Sequence, residues 1–545
     1  MDYNDLFKVK PVSDYDVKDG KVALVVEEKK PVVHVMGEGK VEGDFYADEV
    51  SWIDVKRLAI VGDPNGGEKR EIYLFDGTLT PILKDNYDNF SPLFIGQDKF
   101  YFLSNREGET IHLYLYEGGE ITRISKGKEP VSNLCVSSGG RKVAYSQGIY
   151  DDDVHLVDVE TWDEEVIGFK SSEEVPASSE CFTSEGVIFL SNRDNFFDVG
   201  EYRGGKISWL RKSSWDKLEA LLFNGELAYV EDVVGDFKLI LGEREVVSKG
   251  YNRELKVDQG YLYFLGSYHG RFTDLYRVGK DGVVERLSDS MQGVSGDFVE
   301  PKKVSYESFD GTTTHALLYA RGNEDRGVVY IHGGPDWECV NSFSPTIQFL
   351  VSKGFKVICP NYRGSTGFGR KFNHMNDGDL GGGDLKDVVF STKVLGVRKI
   401  AITGASYGGY LTMMAVTKYP DIWCRAVAVV PFVNWFTEKQ LEREVLKQYD
   451  EVKMGNNPDL LRDRSPIFFV DRIKTPLLLL AGENDPRCPA EETLQVVNKL
   501  KERGVEIEYT IYKDEGHGFS KIENYVDSIR KTVEFISKCE EENTR

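Results

Sequence analysis

Seven short apolar segments recur along the first half of the chain, each bounded by turn residues. Their spacing is roughly 35–44 residues, which indicates a repeat architecture and, for repeated strands, a β-propeller. The segments are Leu24–Val26, Leu58–Val61, Phe100–Leu103, Val143–Tyr145, Val187–Leu190, Leu227–Val230 and Tyr261–Leu265. A pair of β-sandwiches would show strands at similar spacing but gives no reason for a sevenfold recurrence.

Most of these segments are followed by a second segment in which apolar and polar residues alternate. Examples are Ile72–Phe75, Leu113–Tyr116, Val154–Val157 and Asp274–Arg277. Each blade is therefore expected to contain several strands. No strand at the amino terminus plainly belongs to the last blade, so the pattern does not predict how the propeller closes.

Residues 400–410 follow a different pattern: a buried strand, a Gly-x-Ser-x-Gly turn and the start of a helix. So sharp a turn needs neighbours with little bulk, which Gly404 and Gly408 provide, and it exposes the Ser406 hydroxyl at the carboxyl end of the strand. The pattern predicts a nucleophile elbow with Ser406 as the nucleophile. A five-residue match is weak by itself, so the prediction depends on the residues around it.

An oxyanion hole is expected upstream of such an elbow. The short apolar strand 328–331 leads into His332–Pro335, where small residues let a backbone amide approach a developing negative charge. We predict that the amides of Gly334 and Tyr407 are the two donors.

The acid and the base are expected downstream, in the chain order Ser, Asp, His of an α/β-hydrolase. Asp485 follows the apolar strand 476–480, and His517 follows an alternating strand. Asp514 competes with Asp485 for the role of the acid, but it lies three residues before His517 on the same loop and is interpreted as a turn former. Taken singly, each residue also fits an ordinary turn or helix cap.

These strands alternate with helical stretches, which predicts a mostly parallel sheet flanked by helices, the α/β-hydrolase fold. The predicted organisation is an amino-terminal segment over residues 1–17, a seven-bladed β-propeller over 18–297 and an α/β-hydrolase domain over 298–545. The amino-terminal segment offers only some fifteen residues for packing against the hydrolase domain, so a short tether and no tether are both open.

The chain resembles the prolyl oligopeptidase family of serine peptidases and, within it, the acylaminoacyl peptidase branch. The motifs that carry the resemblance span nearly all of the last 240 or so residues. They are His332–Pro335, Asn361–Gly369, Gly381–Val388, the elbow with its double glycine, Ser465–Ile467, Asn484–Pro489 and Gly516–His517. The resemblance implies a Ser406, Asp485 and His517 triad, with the amides of Gly334 and Tyr407 as the oxyanion hole.

Substrate preference is expected to depend on two features near the elbow. The loop 431–436 follows a buried strand, and Phe432, Trp435 and Phe436 could line an apolar pocket, although core packing explains each ring equally well. The resemblance favours Trp435 among them. Arg487 resembles an arginine of the acylaminoacyl branch and is interpreted as binding a substrate carbonyl or carboxylate; a salt bridge is the alternative.

With this resemblance, the protein is expected to be a serine peptidase that forms an acyl-enzyme and releases N-acylated amino acids from short blocked peptides, with an apolar preference and esterase side activity. A broader oligopeptidase, an aminopeptidase, an amidase or a carboxylesterase of the same family is the alternative. A binding protein with an idle hydrolase domain is the contrasting class, which the complete motifs disfavour.

Composition narrows the choice of partners. The chain has 545 residues and a formal charge of −22, which opposes polyanions, so we expect neither nucleic acid nor a membrane as a partner. No metal-binding histidine pattern is present, and no metal or cofactor is expected. The resemblance leaves open a homo-oligomer, a dimer or larger.

The seven cysteines are scattered and lack a Cys-x-x-Cys pair. We therefore expect neither a disulfide framework nor a zinc site, and we interpret Cys339 and Cys488 as small packed thiols. The first residues lack a basic start and a long apolar run, so a cytoplasmic protein is expected.

Overall fold

The computed structural model describes residues 1–108 and 110–539. Its internal contacts divide the chain into two compact units. The first comprises Lys8–Pro64 and Glu68–Gly293, and the second comprises Met1–Phe7, Asn65–Gly67 and the residues from Val294 onward.

The unit of residues 8–64 and 68–293 is a seven-bladed propeller, as predicted. Each blade is an antiparallel sheet of four strands, and the last two blades are joined by one parallel pairing between Phe237 and Tyr251. The strands are β1 (Val12–Lys18), β2 (Lys21–Glu27), β3 (Pro31–Val35), β4 (Gly39–Val41), β5 (Tyr46–Asp54), β6 (Arg57–Asp63), β7 (Glu71–Phe75), β8 (Leu79–Leu83), β9 (Asn89–Gly96), β10 (Lys99–Ser104), β11 (His112–Glu117), β12 (Glu120–Arg123), β13 (Val131–Val136), β14 (Lys142–Gln147), β15 (Asp153–Asp158), β16 (Glu164–Ile167), β17 (Glu174–Pro176), β18 (Val187–Ser191), β19 (Asp198–Arg203), β20 (Lys206–Arg211), β21 (Asp216–Phe223), β22 (Glu226–Val233), β23 (Asp236–Leu241), β24 (Arg244–Val247), β25 (Tyr251–Asp258), β26 (Tyr261–Tyr268), β27 (Arg271–Val278) and β28 (Val284–Arg286).

The seven apolar segments of the sequence form the second strand of every blade. In β2, β10 and β18 the central residues are buried without interruption, because this strand has a sheet neighbour on each side and an adjacent blade on each face. Its apolar run is therefore continuous, whereas apolar and polar residues alternate in the outer strands. The recurrence in the sequence is the recurrence of this one strand.

The first and last blades meet through side chains rather than through an exchanged strand. Each of these blades takes its four strands from one continuous segment. Val12 and Tyr15 of β1 pack against Tyr263 and Leu265 of β26 in one buried cluster. Lys256 Nζ donates to the Tyr15 carbonyl oxygen at 2.8 Å. Apolar burial with a few hydrogen bonds thus closes the ring.

The other unit is built on an eight-stranded sheet with helices packed against it. The strand order is β29-β30-β32-β31-β33-β34-β35-β36, and all pairings from β32 to β36 are parallel, whereas β29–β30 and β30–β32 are antiparallel. The strands are β29 (Lys302–Glu307), β30 (Thr313–Tyr319), β31 (Arg326–Ile331), β32 (Phe355–Pro360), β33 (Lys399–Ala405), β34 (Trp423–Val429), β35 (Leu477–Gly482) and β36 (Ile507–Tyr512).

Ten α-helices and two short 3-10 helices complete the description of this unit over the described residues. The α-helices are α1 (Pro345–Ser352), α2 (Arg370–Asn373), α3 (Gly383–Phe390), α4 (Thr392–Leu395), α5 (Tyr407–Lys418), α6 (Trp435–Leu441), α7 (Glu444–Lys453), α8 (Pro458–Asp463), α9 (Ala490–Lys501) and α10 (Ile522–Ser537). The 3-10 helices are Tyr3–Phe7 and Pro466–Arg472. The largest apolar cluster lies between the sheet and these helices and is centred on α5, whose residues from Tyr407 to Thr417 are all buried.

The amino-terminal residues belong to this second unit. The ring of Tyr3 lies 4.6 Å from that of Phe349 in α1. The first propeller strand begins at Val12, whereas the sequence placed the start of the propeller at residue 18. The reason is that β1 has no apolar run: only Val12, Tyr15 and Val17 are buried, and polar residues separate them.

The expectation that the cysteines form no disulfide framework was wrong, as was the interpretation of Cys339 as a packed thiol; the interpretation of Cys488 is confirmed. Three disulfides are present, Cys135–Cys181, Cys339–Cys359 and Cys424–Cys539. Only Cys488 is a free, buried thiol. Sequence spacing could not reveal the pairs, because each one joins residues on different elements that only the fold brings together. No helix in the described part of the chain is long and apolar enough to cross a membrane.

Candidate active site

Ser406 stands on a strained turn between β33 and α5. Its φ and ψ are 59° and −120°, a conformation that non-glycine residues seldom adopt and that occurs where structure over-determines the backbone. The turn depends on close backbone contacts: a Cβ on Gly404 would lie 2.6 Å from the Gly408 carbonyl oxygen, and one on Gly408 would lie 2.3 Å from that of Ile331. Both positions therefore require glycine, as the sequence predicted.

Three side chains that are far apart in the sequence form one hydrogen-bonded chain. His517 Nε2 lies 2.8 Å from Ser406 Oγ, and His517 Nδ1 lies 2.7 Å from Asp485 Oδ2. The carboxylate of Asp485 has no exposed surface, and its Oδ1 accepts from the amides of Arg487 at 2.8 Å and Cys488 at 3.0 Å. These two amides fix the carboxylate so that its other oxygen faces the imidazole.

Asp514, the alternative acid, has a different position. Its φ is 58°, as expected of a turn residue, and its carboxylate lies 3.5 Å from the ammonium of Lys521. The fully buried Glu515 is the residue that holds the histidine loop. It accepts hydrogen bonds from the amide of Ser520 at 2.9 Å and from the side chain of Asn524 at 2.9 Å. Sequence reasoning missed Glu515, although an acidic residue inside a Gly-rich loop was a signal.

The loop after β31 runs alongside the elbow. A Cβ on Gly333 would lie 3.5 Å from Ser406 Cβ, so the following residue, Gly334, is placed next to the serine. Tyr407 is the first residue of α5, and its amide is one of the donors that a helix leaves without an internal acceptor. The structure thus places Tyr407 directly after Ser406 and brings Gly333, the neighbour of Gly334, beside it; the two amides remain the predicted oxyanion donors.

A buried network holds the loop after β31. His332 Nε2 lies 2.7 Å from Ser365 Oγ, and its ring stacks on Tyr362 with centroids 4.2 Å apart. The Tyr362 hydroxyl donates to the His332 carbonyl oxygen at 2.9 Å. Burial lowers the pKa of His332 to about 4, so the ring is neutral near pH 7. These are positioning residues, which the resemblance covered without assigning them a role.

The phenol of Tyr407 is also fixed. It donates to Asp384, a fully buried residue at the start of α3. Burial raises the pKa of Asp384 to about 6 and raises that of Tyr407 well above its ordinary value. The ring is therefore anchored on the far side of the elbow, and the amide at the start of α5 is held with it.

The aromatic loop after β34 belongs largely to the core. Trp435 is only 1% exposed, and its indole N–H donates to the hydroxyl of Tyr410 at 3.3 Å. Phe432 is also buried and stacks on Tyr410 with centroids 4.4 Å apart. Core packing, the alternative considered from the sequence, accounts for both rings. Phe436 is 38% exposed, and Arg487 is exposed as well.

Three buried carboxyl groups lie on the helices that follow this loop, and the sequence analysis did not single them out. Glu438 lies in α6, Glu442 directly after it and Asp450 in α7, and all three are at least nine-tenths buried. Glu442 caps the helix that contains Glu438, and its amide donates to the Glu438 carbonyl oxygen at 2.9 Å.

Comparison with known proteins agrees with this geometry. A sequence model described as the prolyl oligopeptidase family matches residues 341–542. Dipeptidyl peptidase family member 6 of Caenorhabditis elegans is 31% identical over 227 residues, 39% of this chain and 31% of that protein. The acylamino-acid-releasing enzyme of Mus musculus is 32% identical over 223 residues, 38% of this chain and 30% of that enzyme.

These sequence matches span about a third of the length of the curated relatives, whereas the structural match covers both units. A puromycin-hydrolyzing peptidase of Mycobacterium tuberculosis is 18% identical and superposes with a TM-score of 0.86, over 99% of this chain and 96% of that one. It shares the fold, with propeller and hydrolase sheet alike. Residues 341–542 thus match the prolyl oligopeptidase family in sequence, and the whole chain shares the two-unit fold of the peptidase with which it superposes.

Proposed function

We propose that the protein is a serine peptidase that cleaves short peptides through an acyl-enzyme and releases N-acylated amino acids from blocked peptides. The observation that carries this proposal is the hydrogen-bonded chain from Ser406 Oγ through His517 to the buried Asp485. A nucleophile, a base and a group that orients the base are the three parts that acyl transfer requires.

In the first half-reaction, Ser406 Oγ attacks the carbonyl carbon and its proton moves to His517 Nε2. Asp485 keeps the proton of Nδ1 directed towards itself and stabilises the imidazolium. When the tetrahedral adduct collapses, the carbon–nitrogen bond breaks and the leaving amine takes the proton from Nε2. Water then repeats the sequence on the acyl-enzyme, releases the acid and restores the serine.

The negative charge of the tetrahedral adduct requires donors beside Ser406. The amides of Gly334 and Tyr407 take this role in the proposal, and each such donor lowers the barrier by roughly 3–4 kcal/mol in related chemistry. The hydrogen bonds of His332 and of the Tyr407 phenol support both amides before substrate arrives. A donor that is already oriented needs no reorganisation during the reaction.

The substrate class is the finer part of the proposal. The motifs shared with the acylaminoacyl branch, and the similarity to an acylamino-acid-releasing enzyme, favour peptides with a blocked amino terminus. A broader oligopeptidase, an aminopeptidase, an amidase or a carboxylesterase is the alternative, because the same triad hydrolyses amides and esters alike. Esterase side activity is expected in every case.

The residue that supplies the attacked carbonyl is called P1. The sequence favoured an apolar P1 residue because of three rings in one loop, but Phe432 and Trp435 complete the core. Only Phe436 keeps substantial exposure. The apolar preference therefore has little support left. Arg487 remains a proposed contact for a substrate carbonyl or carboxylate.

Oligomeric state and location are further predictions from the sequence. The expected homo-oligomer is checked by light scattering of the purified protein. The three disulfides argue against the cytoplasmic expectation, because disulfides are rare in reducing compartments except in hyperthermophiles.

The test is labelling of Ser406 by a fluorophosphonate, followed by hydrolysis of N-acetyl-phenylalanine, free phenylalanine and N-acetyl-arginine p-nitroanilides. Ser406→Ala is the blank for both. We expect labelling of the unmodified protein alone and preference for the N-acetylated substrates. Absence of labelling would overturn the enzyme proposal, and preference for the free amine would replace the blocked-peptide proposal with an aminopeptidase.

A further inference from the structure

Helix α7 contacts two loops of the candidate active site, although it carries none of the proposed catalytic residues. The amide of Arg443, the N-cap of α7, donates to the carbonyl oxygen of Pro486, in the loop of the proposed acid, at 3.1 Å. Further along the helix, the Tyr449 hydroxyl donates to Asp336 Oδ2 at 2.7 Å. Asp336 follows Gly334 closely in the chain. One helix therefore joins the loop of the proposed acid to the loop of a proposed oxyanion donor.

The turn that contains Gly334 and Asp336 is tight. Gly334 has a φ of 124°, and a Cβ on it would lie 2.5 Å from the Asp336 amide nitrogen. The Trp337 amide donates to the Pro335 carbonyl oxygen at 2.8 Å, and the Trp337 carbonyl oxygen accepts from the Thr366 amide at 3.0 Å. Because the backbone of this turn is closely packed, a shift of Asp336 is passed on to the Gly334 amide.

Two donors hold the Asp336 carboxylate. Its Oδ2 accepts from Tyr449, and its Oδ1 accepts from the side-chain amide of Asn373 at 2.7 Å. The Asn373 side chain is itself fixed, because it also donates to the Gly364 carbonyl oxygen at 2.9 Å. Hydrogen bonds to a carboxylate are shorter and stronger than those between neutral groups. The position of Asp336 is thus set by α2 and α7.

The carboxyl end of α7 is also held by hydrogen bonds. Lys453, the last residue of the helix, has no exposed side-chain surface. Its ammonium donates to the Asn373 carbonyl oxygen at 3.0 Å and to Asp377 Oδ1 at 2.6 Å. Its carbonyl oxygen accepts from the Gly378 amide at 2.8 Å. Hydrogen bonds at both ends of the helix therefore determine the position of Tyr449.

Apolar packing alone does not explain the position of α7. Most helices are held by an apolar face that packs into the core. The two buried residues of α7 are Asp450 and Lys453, whereas Val452 is 53% exposed. Hydrogen bonds to the active-site loops take the place of a buried apolar face. The position of α7 is therefore coupled to the two loops that it joins.

We propose that Tyr449 is a positioning residue for the oxyanion hole. Through Asp336 it holds the Gly334 amide where the negative charge of the tetrahedral adduct develops, and α7 keeps that amide in place relative to the loop of Asp485. The inference rests on the proposed function, in which Gly334 is a donor. A donor has to be oriented before the charge forms, and a displacement of about 1 Å costs up to about 100-fold in rate.

The first test is Tyr449→Phe, which removes one hydroxyl and keeps the ring. We expect kcat on a p-nitroanilide to fall by roughly 10- to 100-fold and KM to change by less than about twofold, because the hydroxyl acts on the transition state through Asp336. The rate of labelling by a fluorophosphonate should fall in parallel, since its phosphoryl oxygen occupies the oxyanion hole. Tyr509→Phe alters a tyrosine of β36 that is 39% exposed; it is the matched control and should keep both rates.

A double-mutant cycle with Asp336→Ala tests the route of the effect. In that background Tyr449→Phe should change kcat by less than about twofold, because the acceptor of the hydroxyl is already absent. An undiminished effect would mean that the hydroxyl acts directly on the substrate, and it would overturn the inference. Unchanged kcat and labelling in Tyr449→Phe alone would overturn it as well.

Hydrogen exchange tests the same point without catalysis. Amides in the segment 333–337 should exchange faster in Tyr449→Phe than in the unmodified protein, and equal exchange would refute the positioning role. If the fluorophosphonate does not label the unmodified protein, the proposed function fails, whereas the exchange experiment still decides whether Tyr449 holds the loop. Thermal melts show that each variant is folded.

Discussion

Replacing Asp485 with asparagine should separate the orientation of His517 from the folding of its loop. Oδ1 of Asp485 accepts two amides, from Arg487 at 2.8 Å and Cys488 at 3.0 Å. An asparagine must keep its carbonyl oxygen there, because its NH₂ group would otherwise face two donors. The NH₂ group then points at His517 Nδ1, which can only accept from it. The proton of the imidazole moves to Nε2 and faces Ser406 Oγ.

A histidine in that tautomer cannot take the proton of the serine. We expect kcat to fall by about 10⁴-fold, equivalent to about 5.4 kcal/mol of transition-state stabilisation, as in other triads that lose the correct tautomer. KM should change little, because Asp485 is buried and does not contact substrate. The fold should be retained, since both amide hydrogen bonds persist.

The assay is steady-state hydrolysis of a p-nitroanilide, with urea unfolding as the check on stability. Asp514→Asn is the matched control: the residue lies on the histidine loop, its side chain is about half exposed, and it pairs with Lys521 at 3.5 Å. Surface pairs of this kind contribute about 0–1 kcal/mol, so its kcat should stay within about fivefold of the unmodified value. Asp485→Asn with more than about a tenth of wild-type kcat would refute the role of Asp485.

Three further predictions concern the fold around the site. Gly408→Ala places a Cβ 2.3 Å from the Ile331 carbonyl oxygen, and we expect urea unfolding to show a loss of about 1–3 kcal/mol together with loss of activity. Burial lowers the pKa of His332 from 6.5 to about 4, so between these values the unfolded chain binds a proton that the folded chain does not. The free energy of unfolding should therefore decrease by up to roughly 3 kcal/mol as the pH is lowered from 6.5 to 4. An equally steep decrease in the His332→Asn variant would contradict this. The disulfide between Cys424 and Cys539 closes a separation of 115 residues, and replacing both with serine should lower the free energy of unfolding by up to about 4–5 kcal/mol, measured against the oxidised parent.

The nucleophile elbow could be predicted because its causes are local. Gly404 and Gly408 are needed wherever a strand turns sharply into a helix, and the requirement is visible in five consecutive letters. The second strand of each blade was equally visible, since burial on both faces imposes an unbroken apolar run. β1 was missed for the opposite reason: its three buried residues are separated by polar ones.

The roles of the aromatic loop and of the acids after it could not be predicted in the same way. An aromatic residue in a loop looks the same in the sequence whether its ring faces a pocket or the core. Only the stacking of Phe432 on Tyr410 in the structure shows that this ring faces the core. The pair Glu438 and Glu442 resembles an ordinary exposed helix face in the sequence. Its burial depends on the helices and loops that cover it.

The sequence by itself determined the repeat of the propeller, the alternation of strand and helix in the hydrolase domain and the order of Ser406, Asp485 and His517. Those features follow from periodicity and from backbone sterics, which act over a few residues. Only the tertiary structure decided which cysteines pair, how the first blade meets the last and which acidic side chains are buried. Each of those depends on contacts between residues far apart in the chain, and such contacts leave no local pattern.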